Sequence, residues 1–141
     1  MPATYTLKRY IGSVVTDSSA HIIAFTQNGD LFQLATEVRD VNASSTGGNK
    51  TLPSVPLGIQ VEWQGRIDGN SGSANPWGIS VLPTTMTWVG SQVVSNNTFA
   101  ASAPLSVMTN TSQQVQVTLV NSVGTYDLWT IGWIDRRGRD A

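Results

Sequence analysis

The stretch Gln113–Asp135 constrains the fold of this chain more than any other. In its first arm, Val115, Val117 and Leu119 alternate with polar residues, which is the period of two typical of a strand with one buried face. The segment Asn121–Gly124 that follows consists largely of turn-forming residues, so the sequence predicts that the chain reverses there. The first arm is therefore predicted to be a strand of an antiparallel sheet.

The second arm of this stretch is apolar on both faces, and a strand of that kind is covered on both faces. We expect the face with two tryptophans to fill the core, and the other face to be covered by a strand layer, a loop or a neighbouring subunit. Covering by the chain's own loops would remove the main support for a subunit contact here. The two faces are Trp129, Ile131 and Trp133, and Tyr126, Leu128 and Ile134.

The composition indicates a folded domain with a mostly neutral surface. The 141 residues suit one domain, which we assign to residues 1–141 with a short charged tail at 135–141. Only 12% of the residues are charged, against about 25% in an average soluble domain. Neutral polar groups are cheaper to desolvate than ions, so such a surface favours extensive contacts with a neighbour. The absence of cysteine excludes disulfides and thiolate metal sites.

The rest of the chain reads as short strands joined by polar turns and loops. Leu57–Arg66 alternates most strictly, with Leu57, Ile59, Val61 and Trp63 predicted to point inward. Asn28-Gly29 predicts a hairpin, and alternation favours a strand over a helix for Leu31–Val41. Long loops are expected at Asn42–Pro56 and Ile67–Pro76. Together these features predict an all-β, antiparallel sandwich or barrel, with a jelly roll favoured and an immunoglobulin-like sandwich as the alternative.

No pattern of catalytic or metal-binding residues stands out. His21 is the only histidine, and the acidic residues are scattered along the chain. The loop around Ser71 departs from the serine-protease motif, and it lacks the glutamate that a calcium loop requires. We therefore predict a non-enzymatic protein with no catalytic residue, no metal site and no cofactor.

Other features bear on location and partners. The start of the chain does not have the pattern of a signal peptide, so we expect the protein to be made in the cytoplasm. The arginines of the tail lie between Asp135 and Asp140, so we expect a solvated tail or a salt bridge to a neighbouring subunit, and not binding of nucleic acid. We expect tryptophans on strands to pack in the core, and Trp77, which follows Pro76 and a polar loop, is the alternative candidate for a sugar-stacking platform.

The uncharged Ser/Thr/Asn-rich surface, the two long loops, the closing strand Tyr126–Ile134 and the tail Asp135–Ala141 resemble the small single jelly-roll capsid proteins of tailless, membrane-containing icosahedral bacteriophages. The resemblance implies a coat subunit of a virion, which assembles with itself and with other capsid proteins. The chain has no long basic arm, which fits a shell over a lipid vesicle and no direct binding of nucleic acid. The expected subunit contacts are Tyr126, Leu128, Ile134, Arg136, Arg137 and Arg139. A receptor- or carbohydrate-binding spike or fibre domain, with Trp77 as the sugar contact, is the alternative.

Overall fold

A computed structural model describes residues 12–44, 46–71, 77–86, 93–95, 100–121 and 124–137 of the chain, with the backbone alone at 93–95. Nine strands and no helix occur in these ranges, so they contain no helix that could cross a membrane. The strands are β1 (Phe25–Asn28), β2 (Leu31–Ser44), β3 (Gly48–Thr51), β4 (Glu62–Asn70), β5 (Trp77–Leu82), β6 (Val93–Ser95), β7 (Ala100–Met108), β8 (Gln114–Val120) and β9 (Thr125–Ile134).

The strands form two antiparallel sheets that enclose one hydrophobic core. The five-stranded sheet has the order β1-β2-β9-β4-β7, and the four-stranded sheet has the order β3-β8-β5-β6. The prediction of an antiparallel β-sandwich is confirmed. Four of the pairings are nested in sequence: β2 with β9, β3 with β8, β4 with β7, and β5 with β6.

Strand β4 shows how the sequence builds the core. Trp63 and Ile67 are fully buried, and they alternate with two glycines on the same inward face. A Cβ atom at Gly65 would lie 2.0 Å from the indole of Trp63, and one at Gly69 would lie 2.6 Å from the indole of Trp77. The glycines are therefore needed because the two large rings occupy the space that side chains would fill.

The hairpin signal and the predicted strand at Leu31–Val41 are confirmed, with a change in the position of the turn. Asn28 pairs with Leu31, so the loop consists of Gly29 and Asp30. Gly29 has a φ of +61°, and glycine at the first of two loop positions is typical of a type II′ turn.

Three predicted boundaries were wrong, and one of them is the start of the predicted loop Ile67–Pro76, whose first four residues belong to β4. The predicted loop Asn42–Pro56 contains the end of β2 and all of β3, because pairing with β9 and β8 continues into this polar segment. The predicted strand Leu57–Arg66 begins only at Glu62, and Leu57 is 71% exposed instead of buried. Gly58 has a φ of +84°, a backbone conformation that interrupts a strand.

Candidate subunit-contact surface

The predicted faces of β9 are reversed over most of the strand. Tyr126 is 1% exposed and Leu128 is fully buried, while Trp129 and Ile131 are only partly buried. The register explains this, since Leu128 lies opposite the inward-facing Ile67 of β4. Tyr126 and Leu128 were therefore wrongly predicted as subunit contacts, because they fill the core of their own chain.

A β-bulge exchanges the faces again near the end of β9. Thr130 lies opposite Gly65 of β4, but Gly132 lies opposite Gln64, so Ile131 is the extra residue. After the bulge Trp133 is buried, as predicted, and Ile134 is only partly buried. An extra residue of this kind shifts the alternation by one position, which a strict period of two does not anticipate.

We use the term outer face for the side of the five-stranded sheet that points away from the core. Its central row consists of Arg39, Trp129 and Arg66, which lie opposite one another on β2, β9 and β4. The guanidinium carbons lie 5.8 Å (Arg39) and 5.2 Å (Arg66) from the centre of the Trp129 ring. At these distances both cations are attracted to the indole.

Three carboxylates pair with these two cations, which leaves one net negative charge. Arg66 binds Asp68 at 2.7 Å and Glu37 at 2.9 Å, and Arg39 lies 4.0 Å from Asp127. These side chains are partly exposed, so each pair adds less than about 1 kcal/mol to stability. The pairing matters more for contacts, because a face whose charges are already compensated loses less when water is removed from it.

A hollow of about 260 Å³ lies beside this row. Gly65 and Gly132 form part of its lining, together with Gln33, Gln64 and Ile131. A Cβ atom at Gly132 would lie 2.2 Å from the backbone oxygen of Phe32, so glycine is required where β2 approaches the bulge. Ile131, the extra residue of the bulge, therefore lies at the hollow and not in the core.

Three of the predicted contact residues, Ile134, Arg136 and Arg137, line one groove of about 650 Å³, which we call the end groove. Arg136 binds Glu62 at 2.8 Å, and Arg137 binds the buried Asp135 at 2.9 Å. These three residues lie outside the core, and their role as subunit contacts stays a prediction. Arg139 lies outside the described residues.

The alternative interpretation of Trp77 as a sugar contact was wrong. It is 1% exposed and belongs to the hydrophobic core, with its ring against Gly69. All six residues of β5 are buried, so the strand has no solvent-facing side on which a sugar can stack. The apolar run from Trp77 to Leu82 was the signal for burial on both faces.

A buried polar network is the feature that sequence reasoning missed. Asp40 accepts hydrogen bonds from the backbone and hydroxyl of Ser54 at 3.2 and 2.8 Å, and from the hydroxyl of Thr130. Thr130 in turn accepts one from Nε1 of Trp63 at 2.8 Å. Burial raises the pKa of the Asp40 carboxyl, and the hydrogen bonds from Thr130 and Ser54 oppose that shift. Asp40 lines neither the hollow nor the end groove, so we assign it to stability.

The described ranges contain no cluster of three or more side chains that fits a metal ion. His21 is exposed and lies 3.6 Å from Asp17, whereas Ser71 is buried. No protein-family model, curated protein or solved structure matches this chain. The outer face and the end groove therefore have to be understood from their own residues.

Proposed function

We propose that this chain is a non-enzymatic coat subunit of a viral capsid, and that the outer face contacts neighbouring subunits. The observation that carries the proposal is the row Arg39–Trp129–Arg66, in which an indole lies between two guanidinium groups. Tryptophan and arginine are the residue types that most often dominate the energy of protein interfaces. Their presence at the centre of a sheet face, away from the core, supports a contact with another protein.

The charges around this row support the same proposal. The two arginines are paired with Glu37, Asp68 and Asp127 of their own chain. A neighbouring subunit then has to cover a nearly neutral surface, which fits the low overall content of charged residues. Contact through such a surface depends little on salt, because few free charges remain to be screened.

The nested strand pairings support a jelly-roll assignment for the sandwich. Strands β2 to β5 pair with β9 to β6 in reverse order, as if one long hairpin were wrapped into two sheets. In an immunoglobulin sandwich three pairs of consecutive strands lie side by side. Here, among the described strands, consecutive neighbours are only β1–β2 and β5–β6.

The assignment agrees with the resemblance to single jelly-roll capsid proteins. Location in the virion, co-assembly with other capsid proteins and a position over a lipid vesicle belong to this proposal. The carbohydrate-binding alternative depended on Trp77, and this residue is buried in the core.

The test is the mass of the purified chain in solution. We expect small-angle scattering to show oligomers that grow with protein concentration and persist in high salt, and negative-stain microscopy to show them as regular assemblies. Trp129→Ala removes the centre of the row, and Gln116→Ala, on the outward side of β8, is the matched control. A monomer at every concentration and salt condition contradicts the proposal.

A further inference from the structure

Strand β7 forms an open edge of the five-stranded sheet. It is the last strand in the order of that sheet, and it pairs with β4 from Ala100 to Met108 without a register shift. The N–H of Thr109, directly after β7, donates to the carbonyl of Val61 at 2.9 Å, so it points toward the β4 side. Because backbone groups of successive residues point to opposite sides of a strand, those of the even-numbered residues of β7 point away from β4.

The outward backbone groups of this edge have no partner. Within the part of the chain that the structure describes, no residue accepts a hydrogen bond from the N–H of Ser102, Ser106 or Met108. Pro104 belongs to the same outward set, so its missing N–H does not interrupt the pairing with β4. The edge therefore offers free donors on both sides of the proline, together with the carbonyl of each outward residue.

Two features that protect strand edges from pairing, short length and lysine, are missing from β7. The described edge strands β1, β3 and β6 have only three or four residues, and β3 contains Lys50. In contrast, β7 has nine residues and no charged side chain. Its core-facing side chains Ala101, Ala103 and Leu105 are only partly buried, whereas Ile67, opposite Ala103 on β4, is fully buried. Apolar surface therefore remains at this edge for a neighbour to cover.

We propose that β7 pairs edge to edge with β7 of a second copy of this chain, in the antiparallel direction about a two-fold axis. Residues opposite each other in an antiparallel pair face the same side of the sheet, so the partly buried alanines and leucine meet their counterparts. No like charges are brought together, because the strand carries none. The two-fold axis also closes the contact, since it uses the free edge of both copies at once.

This pairing rests on the proposed function, because one pair of strand edges buries less surface than the roughly 1,200–2,000 Å² of a stable interface. We therefore expect it in oligomers that the outer face also holds together, and not in the Trp129→Ala monomer. The two proposals fail in different ways. Absence of oligomers contradicts both of them, whereas oligomers in which β7 stays unpaired contradict only the pairing of β7.

Amide hydrogen exchange, measured residue by residue in the wild-type oligomers, tests the pairing directly. We expect the amides of Ser102 and Ser106 to exchange at least about tenfold more slowly than in the Trp129→Ala monomer, because a second strand accepts their hydrogen bonds. The amides of Ala103 and Leu105, which point toward β4, are the matched controls and are expected to exchange equally in both proteins. Oligomers in which Ser102 and Ser106 exchange at the rate of the monomer would overturn the proposal.

Ser102→Pro removes one outward donor and leaves the pairing with β4 in place. Proline has no N–H, and Ser102 lies in the same outward set as Pro104, so we expect a folded variant, which circular dichroism verifies. In oligomers of Ser102→Pro the protection of the Ser106 amide should fall at least about fivefold. Ser102→Ala, which keeps the N–H, is the matched control and should retain that protection. Equal protection of Ser106 in the two variants would contradict the pairing.

Disulfide trapping identifies the partner of β7 without a proline variant, because the chain has no cysteine of its own. A single cysteine is placed in turn at each position from Ser102 to Ser106, and covalent dimers are quantified under mild oxidation. Since a disulfide forms only between Cα atoms about 4.4–6.8 Å apart, we expect one or two positions near the two-fold axis to exceed the others at least about fivefold. Gln116→Cys, on β8 between two paired strands, is the control. Yields that are equal at all positions, or no higher than with Gln116→Cys, would refute the pairing of two copies.

Discussion

Replacement of Thr130 by valine tests the buried network around Asp40. The Thr130 side chain is fully buried, and its hydroxyl is shared between two partners. It accepts a hydrogen bond from Nε1 of Trp63 and donates one to Asp40. Valine has nearly the same shape, so the substitution removes both bonds without opening a cavity.

The magnitude follows from the two groups that are left without a partner. Trp63 is fully buried, and an unpaired buried donor costs about 1–3 kcal/mol. Loss of a hydrogen bond to the charged Asp40 costs about 1.5–3 kcal/mol more. The two bonds share one hydroxyl and are not fully additive, so we expect Thr130→Val to lower the free energy of unfolding by about 2–4 kcal/mol.

Equilibrium unfolding in urea, followed by circular dichroism, measures this free energy. Thr130→Ser is the control, because it keeps the hydroxyl and removes one methyl group, which is worth about 0.8 kcal/mol. The explanation is refuted if Thr130→Val unfolds within about 0.5 kcal/mol of the wild type. It is also refuted if the valine and serine variants are equally destabilised, since the hydroxyl would then contribute nothing.

Three further predictions concern the stability of the fold. Burial raises the pKa of Asp40 above its ordinary 3.8, so the folded protein keeps this proton to higher pH than the unfolded chain. The stability of the wild type relative to Asp40→Asn should therefore fall as the pH rises from about 4 through the folded pKa. Urea titrations that show a constant difference in stability at several pH values would contradict this. Gly132→Ala places a Cβ atom 2.2 Å from the Phe32 oxygen and should lower stability in the same titrations, by about 2 kcal/mol or more for a clash with backbone. Trp77→Ala should cost about 3–5 kcal/mol as a core truncation, and a cost under 1 kcal/mol in urea unfolding would place the ring outside the core.

The sandwich was predictable because the alternation of apolar and polar residues indicates, for each position of a strand, whether the side chain is buried. Val115 and Val117 are buried, as their pattern predicted, and the hairpin at Gly29 follows from local turn chemistry. The nested order of the strands was not predictable, because pairing between strands distant in sequence depends on the packing of the whole chain.

The faces of β9 were predicted incorrectly because both are apolar. Tyr126 and Leu128 pack inside, opposite Gly69 and Ile67 on the inward face of β4. Trp129 is instead covered partly by the arginines beside it. Neither the bulge at Ile131 nor the pairing of Trp129 with two distant arginines leaves a signal in the local sequence.

The same argument explains why Asp40 was missed. It lies within the alternating segment of β2, where its sequence position suggests an ordinary polar residue. A register shift between Arg39 and Val41 leaves it unpaired in the sheet. Its carboxyl then meets Thr130, which is ninety positions away in sequence. Local patterns do not carry information about such contacts.

Sedimentation velocity of the wild type and of Trp129→Ala, side by side at matched concentrations, tests the role of the outer face most directly. Subunit contact through this face predicts that the wild type sediments as oligomers, that Trp129→Ala sediments as a folded monomer, and that the Gln116→Ala control behaves like the wild type. Oligomers of unchanged size in Trp129→Ala, or monomers in all three proteins, would contradict the account.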